Sequence, residues 1–201
     1  MVPEFDSDYS HDFLTEAAVN HAIRFIKEGD GTQPFFINLW IHETHTPFSP
    51  TPKTLSAYPG VEQPEKTYVS VVTKADRHLG RLFNLLKEQG LDEDTLILFS
   101  SDNGPTYNGG TDSPWFDSAK PFKSEYGWGK GFLKEGGIRV PMIAQWPGKI
   151  EPGTESDHIS AFYDVMPTLC DVVNVKPVED TDGISFLPTL LDRGKQQEHE
   201  F

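Results

Sequence analysis

The chain has little cysteine, little positive charge and no long apolar run, and each shortage excludes a class of protein. Its 201 residues contain a single cysteine, Cys170, which excludes an internal disulfide framework and a metal site built from several thiolates. Lys and Arg number 17 against 31 Asp and Glu, and the resulting net charge of -14 argues against general binding of nucleic acids or anionic membranes. An anionic ligand would therefore need a local source of positive charge.

The apolar segments are too short for a membrane span, which needs roughly 20 residues. The first residues, Met1 to Asp6, lack the basic start and the apolar stretch of a signal peptide. These observations assign no compartment. Hydrophobic residues make up 36% of the chain and charged residues 24%, which is typical of a globular protein, and the length predicts a single domain over residues 1–201.

One apolar run ends abruptly in polar residues. Leu96 to Phe99 are followed by Ser100, Ser101, Asp102, Asn103 and Gly104. The run predicts a buried strand of a parallel sheet that is covered on both faces, and ligands gather beyond the carboxyl ends of such strands. Asp102 and Asn103 would offer oxygen ligands to Ca²⁺ or Mg²⁺ there. On this segment alone, however, a plain Asn-Gly turn is the favoured interpretation, because such turns are common.

The remaining periodicities predict alternating helices and strands. The predicted elements are a helix over 13–26 that ends near Gly29, a strand over 35–41, a helix over 68–86, a strand over 140–146, and a short strand and helix within 159–173. This order is typical of an α/β fold with a mixed, largely parallel sheet flanked by helices. Two long loops, 47–66 and 104–137, separate the elements. The aromatic residues of the second loop either stack on a substrate ring or, as we favour for most, pack the loop down.

Two further groups of polar residues are candidates for binding or catalysis. His42 and His45 follow the predicted strand over 35–41, although histidines in loops are more often structural. Lys130 lies between Gly129 and Gly131, which would let its ammonium approach an anion, although a solvated lysine is the simpler interpretation. Together with Asp102 these groups suggest a cation, a histidine and a lysine around a tetrahedral oxyanion, whose charge must be neutralised and whose leaving oxygen must be protonated.

In this arrangement the chain resembles the later portion of sulfatases of the arylsulfatase type, within the alkaline-phosphatase-like superfamily. The matching segments occur in the family's order and extend over about residues 14–191. They are Pro34 to Pro47, Tyr68 to Gly80, Ser101 to Gly104, Gly129 to Gly131, Glu135 to Pro141, Tyr163 to Leu169 and Asp182 to Phe186.

The resemblance implies a role for four residues. Asp102 and Asn103 would be two of the Ca²⁺ ligands. His45 would contact the sulfate and its leaving oxygen, and Lys130 would bind the same sulfate. The implied reaction is hydrolysis of a sulfate ester through a covalent intermediate on a formylglycine hydrate.

The chain departs from the family in one respect. Family members form the nucleophile within a Cys/Ser-x-Pro-x-Arg motif near their start, where two aspartates complete the calcium site, and this chain contains no such motif. We therefore expect a sheet that is incomplete on its N-terminal side, an N-terminal half of the same domain as partner, and no activity of this chain alone. The unpaired sheet edge favours self-association.

Two alternatives remain open. One is a non-catalytic sulfatase-like protein that binds a sulfated ligand without turnover. The other is a hydrolase of phosphate or phosphonate esters from the same superfamily. The expected ligand is a sulfated small molecule or carbohydrate, with no nucleic acid and no membrane span; the particular ester is not indicated.

Overall fold

The computed structural model describes residues 14–108 and 115–200 and divides into two compact units. The first unit extends to Gly90 and continues from Ser100 to Pro141. The second unit contains Leu91–Phe99 and the chain from Met142 onward. Phe13 and residues 109–114, which belong to the predicted opening helix and the second long loop, lie outside the described residues. A single domain over residues 1–201 stays a prediction.

Helices dominate the first unit. They are α1 (Leu14–Glu28), α2 (Pro52–Ser56), α3 (Glu65–Glu88) and α4 (Glu135–Ile138). The two long helices confirm the helices predicted from the apolar periodicity. Val19 and Ala22 of α1 pack against Leu82 of α3, and this contact forms the buried core of the unit. Arg81 donates to Asn20 at 2.7 Å and joins the same two helices at the surface.

Residues 35–41 are not a hydrogen-bonded strand, which corrects the prediction for this segment. Burial still alternates along it with the period of an extended chain. Ile37 and Leu39 face the core, whereas Phe36 and Trp40 are 69% and 82% exposed. A strand needs a neighbouring backbone to complete its hydrogen bonds, and no strand pairs with this segment in the described part of the chain.

The described chain has two strands, which belong to the second unit except for Ser100, the last residue of the first strand. They are β1 (Ile97–Ser100) and β2 (Met142–Gln145), which form a two-stranded sheet and confirm the strands predicted at these positions. The cover on both faces that was predicted for the first of these strands is wrong, since Phe99 is 43% exposed. The short strand predicted before the last helix is instead a 3₁₀ turn, Phe162–Asp164, which leads into α5 (Val165–Val172); α6 (Leu187–Leu190) follows.

A buried aspartate anchors the end of the second unit. Asp164 is fully buried and accepts hydrogen bonds from the backbone N–H groups of Ala161 at 2.7 Å and Ile184 at 2.8 Å. His199 approaches the same carboxylate at 2.9 Å. Because a buried carboxylate needs such partners, we interpret the Tyr163 to Leu169 and Asp182 to Phe186 segments as structural rather than catalytic. In the described part of the chain, no helix is both long and apolar enough to cross a bilayer.

Candidate functional site

The Asp-Asn-Gly segment after β1 is joined to the Glu-Gly-Gly segment by direct backbone packing. The N–H of Gly104 donates to the carbonyl of Gly137 at 2.9 Å. A Cβ on Gly104 would lie 1.9 Å from the carbonyl oxygen of Gly136, so the two backbones approach more closely than any side chain would permit. Two motifs that are about thirty residues apart in the sequence therefore lie against each other in the fold.

The segment that carries Lys130 packs against the same two motifs. The N–H of Lys130 donates to the carbonyl of Pro105 at 3.0 Å, directly after the Asp-Asn-Gly segment. A Cβ on Gly129 would lie 2.6 Å from that carbonyl oxygen, and a Cβ on Gly137 would lie 2.5 Å from the carbonyl oxygen of Gly129. We call residues 102–105, 129–130 and 136–137 the glycine junction. It brings Asp102, Asn103 and Lys130, predicted from separate motifs, onto one packed scaffold.

The oxygen atoms of Asp102 and Asn103 are suited to a hard cation but do not make a complete site. Asp102 is exposed, and the side-chain amide nitrogen of Asn103 donates to the carbonyl of Gly104 at 2.9 Å, which leaves the amide oxygen directed elsewhere. Calcium takes six to eight oxygen ligands. Over residues 14–108 and 115–200 no group of three or more His, Cys, Asp or Glu side chains is placed to hold a metal ion. The two residues fit a cation as part of a larger ligand set.

His45 lies in a compact turn after the extended segment 35–41. Its N–H donates to the carbonyl of His42 at 2.8 Å, and its ring Nδ1 lies 2.6 Å from the carbonyl of Thr46. Because a carbonyl oxygen can only accept, Nδ1 carries a proton and Nε2 is the nitrogen directed to other partners. Within the described ranges no hydrogen bond or ion pair joins His45 to the glycine junction.

A buried ion pair under this turn was not predicted. The Oε1 atom of Glu43 lies 3.1 Å from the Nζ atom of Lys74 in α3. Only 8% of the Glu43 side chain and 3% of the Lys74 side chain are exposed. Thr15 of α1 donates to the Glu43 carboxylate and accepts from the N–H of His42 at 3.2 Å. Lys74 also donates to the carbonyl of Ser49 at 3.2 Å. The contacts hold the histidine turn to both long helices. The available signal was a lysine on the apolar stripe of α3, next to Ala75.

Two titratable groups of this region have shifted pKa values. Burial raises the pKa of the Glu43 carboxyl, but the hydrogen bonds from Thr15 and Lys74 together outweigh it, and the net pKa is lowered. Burial lowers the pKa of His78 in α3. Arg81 donates to the ring Nδ1 of His78 at 3.0 Å, which also favours the neutral ring.

We expect both groups to destabilise the fold on acidification. A lowered pKa means that the unfolded chain binds the proton more readily, so each contribution is present above the unfolded pKa and is lost as the pH falls. The loss begins below about pH 6.5 for His78 and below about pH 4.5 for Glu43. Urea midpoints measured between pH 7 and pH 3 test this, and His78→Gln should flatten the upper part of the profile. A pH profile that His78→Gln leaves unchanged would contradict the shift of His78, and one that Glu43→Gln leaves unchanged below about pH 4.5 would contradict that of Glu43.

The aromatic residues of the second long loop mostly pack against one another. Tyr126 contacts Tyr107 and Phe132 edge-on, with ring centroids 5.0 and 5.3 Å apart. Phe116 contacts Tyr68 of α3 at 5.1 Å. The rings contact one another, but Tyr126 is 71% and Trp115 50% exposed, so a packing role for most of them stays a prediction. Trp128 differs because its ring contacts two lysines.

Comparison with known proteins gives the same family as the sequence motifs. Residues 3–175 match the Sulfatase family. N-acetylgalactosamine-6-sulfatase of Canis lupus familiaris is 31% identical over 186 residues, which are 89% of this chain and 33% of that protein. The chain thus spans about a third of the length of this relative.

Solved structures agree in fold. The crystal structure of Ps i-CgsB in complex with k-i-k-neocarrahexaose superposes with a TM-score of 0.78 at 30% identity, over 89% of this chain and 38% of that chain. A phosphonate monoester hydrolase of Agrobacterium radiobacter gives a TM-score of 0.68 at 22% identity, over 96% of this chain and 45% of that chain, and shows the fold alone. These similarities confirm the predicted alkaline-phosphatase-like fold.

Proposed function

The chain belongs to the sulfatase family, and we propose that it forms the later part of the catalytic domain of a sulfuric ester hydrolase. The observation that supports this most is the glycine junction, which fixes Lys130 to the backbone that follows Asp102 and Asn103. A sulfatase needs a cation and an ammonium group around one sulfate. The close backbone packing of the three motifs supports their use in one site.

Lys130 and His45 would act on the sulfate ester itself. The Lys130 ammonium would neutralise the sulfate and the charge that develops on the departing oxygen. With Nδ1–H of His45 held by Thr46, the imidazolium form of the ring would donate its Nε2 proton to that oxygen and would become the neutral ring. Asp102 and Asn103 would supply two oxygens to a Ca²⁺ ion, which would polarise the sulfate.

The remaining calcium ligands and the formylglycine nucleophile would come from outside the 201 residues, since no Cys/Ser-x-Pro-x-Arg motif occurs within them. An N-terminal half of the same domain is therefore the proposed partner. The ligand class we favour is a sulfated carbohydrate, supported by the sugar sulfatase and the oligosaccharide complex among the relatives.

Binding and turnover test the proposal separately. We expect the chain to bind an aryl sulfate without hydrolysing it, and Lys130→Ala to weaken that binding roughly 10-fold or more, because a hydrogen bond to a charged group is lost. Calorimetric titration measures the binding, and a fluorogenic aryl sulfate with Ca²⁺ present measures turnover. Lys149→Ala, which removes an exposed lysine of the second unit, is the matched control.

Equal losses in Lys130→Ala and Lys149→Ala would contradict a sulfate contact at Lys130. Hydrolysis by the chain alone would contradict the absence of the nucleophile. Tighter binding of the corresponding aryl phosphate or phosphonate would favour the alternative ester class. Calcium binding is tested without activity by titration with Asp102→Asn, which should weaken it.

A further inference from the structure

Trp128 holds two lysine ammonium groups against its indole ring. The Nζ atom of Lys123 lies 4.8 Å from the ring centroid, and that of Lys134 lies 5.4 Å from it. The electron-rich face of an indole attracts ammonium groups without neutralising their charge. The ring is 40% exposed, so the two ammonium groups are held in place at the surface rather than buried.

The backbone around Trp128 is fixed to the glycine junction. The N–H groups of Trp128 and Gly129 both donate to the carbonyl of Glu125, at 2.9 and 3.1 Å. The carbonyl oxygen of Trp128 lies 3.1 Å from the position that a Cβ on Gly136 would occupy. Trp128 therefore belongs to the same packed scaffold as Lys130, two residues further along the chain.

This segment is rich in positive charge within an acidic chain. Residues 115–139 contain five Lys and Arg against three Asp and Glu, although the whole chain has a net charge of -14. Two of these acids are already paired, Asp117 with Lys120 at 3.1 Å and Glu135 with Arg139 at 3.0 Å. In the described part of the chain, the three lysines 123, 130 and 134 form no ion pair. Such a cluster attracts anions locally while the rest of the surface repels them.

We propose that Lys123 and Lys134, positioned by Trp128, form a second anion-binding site beside Lys130. It would take an additional sulfate or carboxylate group of an acidic carbohydrate whose first sulfate contacts Lys130. This inference rests on the proposed function and adds a preference for ligands with more than one negative charge. A single lysine could neutralise one sulfate, so the two further ammonium groups would serve a second group on the same ligand.

Three sugars distinguish the sources of the second charge. They are N-acetylglucosamine-6-sulfate, glucosamine-2-N,6-O-disulfate, and a disaccharide of a uronic acid with N-acetylgalactosamine-6-sulfate. Calorimetric titration of the 201-residue chain is expected to show about 5-fold tighter binding of a doubly charged sugar than of the monosulfate, since each exposed charge pair contributes modestly. A gain for the disulfate assigns the second group as sulfate, and a gain for the disaccharide assigns it as carboxylate.

The variants separate this inference from the proposed function. Lys123→Gln with Lys134→Gln should abolish the preference and weaken the monosulfate far less than Lys130→Ala does, whereas Lys130→Ala should weaken all three ligands. Trp128→Leu keeps both lysines but removes their support, and should reduce the preference. Lys87→Gln, an exposed lysine at the end of α3, is the charge-matched control. Melting curves of every variant confirm that the fold is retained.

Equal affinity for all three sugars in the unmodified chain would overturn the second site, as would an equal loss in Lys87→Gln. The double variant of Lys123 and Lys134 could lose the preference for doubly charged sugars while Lys130→Ala bound all three sugars as before. That result would support the second site and overturn the proposed role of Lys130.

Discussion

Replacing Gly136 with alanine is expected to destabilise the chain by roughly 3 kcal/mol or more, at the upper end of what overpacking costs. A Cβ at this position would lie 1.8 Å from the carbonyl oxygen of Lys123, and a second backbone oxygen, that of Trp128, would lie 3.1 Å away. Both obstacles are backbone atoms, which cannot rotate away as a flexible side chain could. The two segments must therefore separate.

Urea unfolding followed by circular dichroism measures the loss as a fall in the transition midpoint. Gly80→Ala is the matched control, because Gly80 lies within α3 and a Cβ there meets nothing within 4 Å. That change should stabilise the chain by about 0.5–1 kcal/mol through helix propensity. The two substitutions add the same methyl group and are expected to act in opposite directions. An unchanged midpoint for Gly136→Ala would contradict the backbone packing of the glycine junction.

The glycines on either side of Lys130 have structural reasons that the sequence alone does not reveal. The sequence predicts that Gly129 and Gly131 open space for an anion around Lys130. In the structure Gly129 is required by a neighbouring backbone, since a Cβ would lie 2.5 Å from the carbonyl oxygen of Ser124. A Cβ on Gly131 would meet no atom within 4 Å. The residue has a φ of +87°, however, and this conformation favours glycine. A sequence indicates that a position needs glycine, but the reason depends on which distant segment lies against it.

The extended segment 35–41 shows a second property that the sequence does not determine, namely which backbone pairs with it. Its nearly continuous apolar composition, interrupted by Asn38, correctly indicates an extended chain with apolar side chains on both faces. In the described structure one face meets the helical core, and the other leaves Phe36 and Trp40 exposed. Periodicity reports the chemistry of both faces but not which backbone completes the hydrogen bonds.

The helices were predictable because local periodicity determines them, whereas the buried ion pair was not. Lys74 lies on the same stripe of α3 as Val71, Ala75 and Leu82, where a charged residue is unexpected. That anomaly indicates a buried partner without identifying it. The partner, Glu43, is thirty-one positions earlier and becomes recognisable only when the turn after residues 35–41 packs onto the helix.

Replacing Lys74 with methionine is expected to destabilise the chain by about 3–5 kcal/mol, the usual cost of leaving one charge of a buried pair without its partner. Methionine keeps most of the volume of the lysine stem, so the loss would come from the charge rather than from a cavity. The Glu43 carboxylate would keep its hydrogen bond from Thr15 but lose its cation at 3.1 Å. Adding Glu43→Gln to Lys74→Met should restore much of the stability, because the buried charge is then removed.

A double-mutant cycle with urea midpoints measures the coupling between the two residues directly. Lys176→Met is the control, since Lys176 forms an ion pair with Glu179 at 2.8 Å in which both side chains are about 80% exposed. An exposed pair contributes about 1 kcal/mol at most, so this control should change the midpoint little. If Lys74→Met behaved like Lys176→Met, the ion pair would not be buried in solution, and the turn that carries His45 would not be fixed to α3. The expected large coupling would instead identify Glu43 and Lys74 as the contacts that position the proposed sulfate-binding histidine.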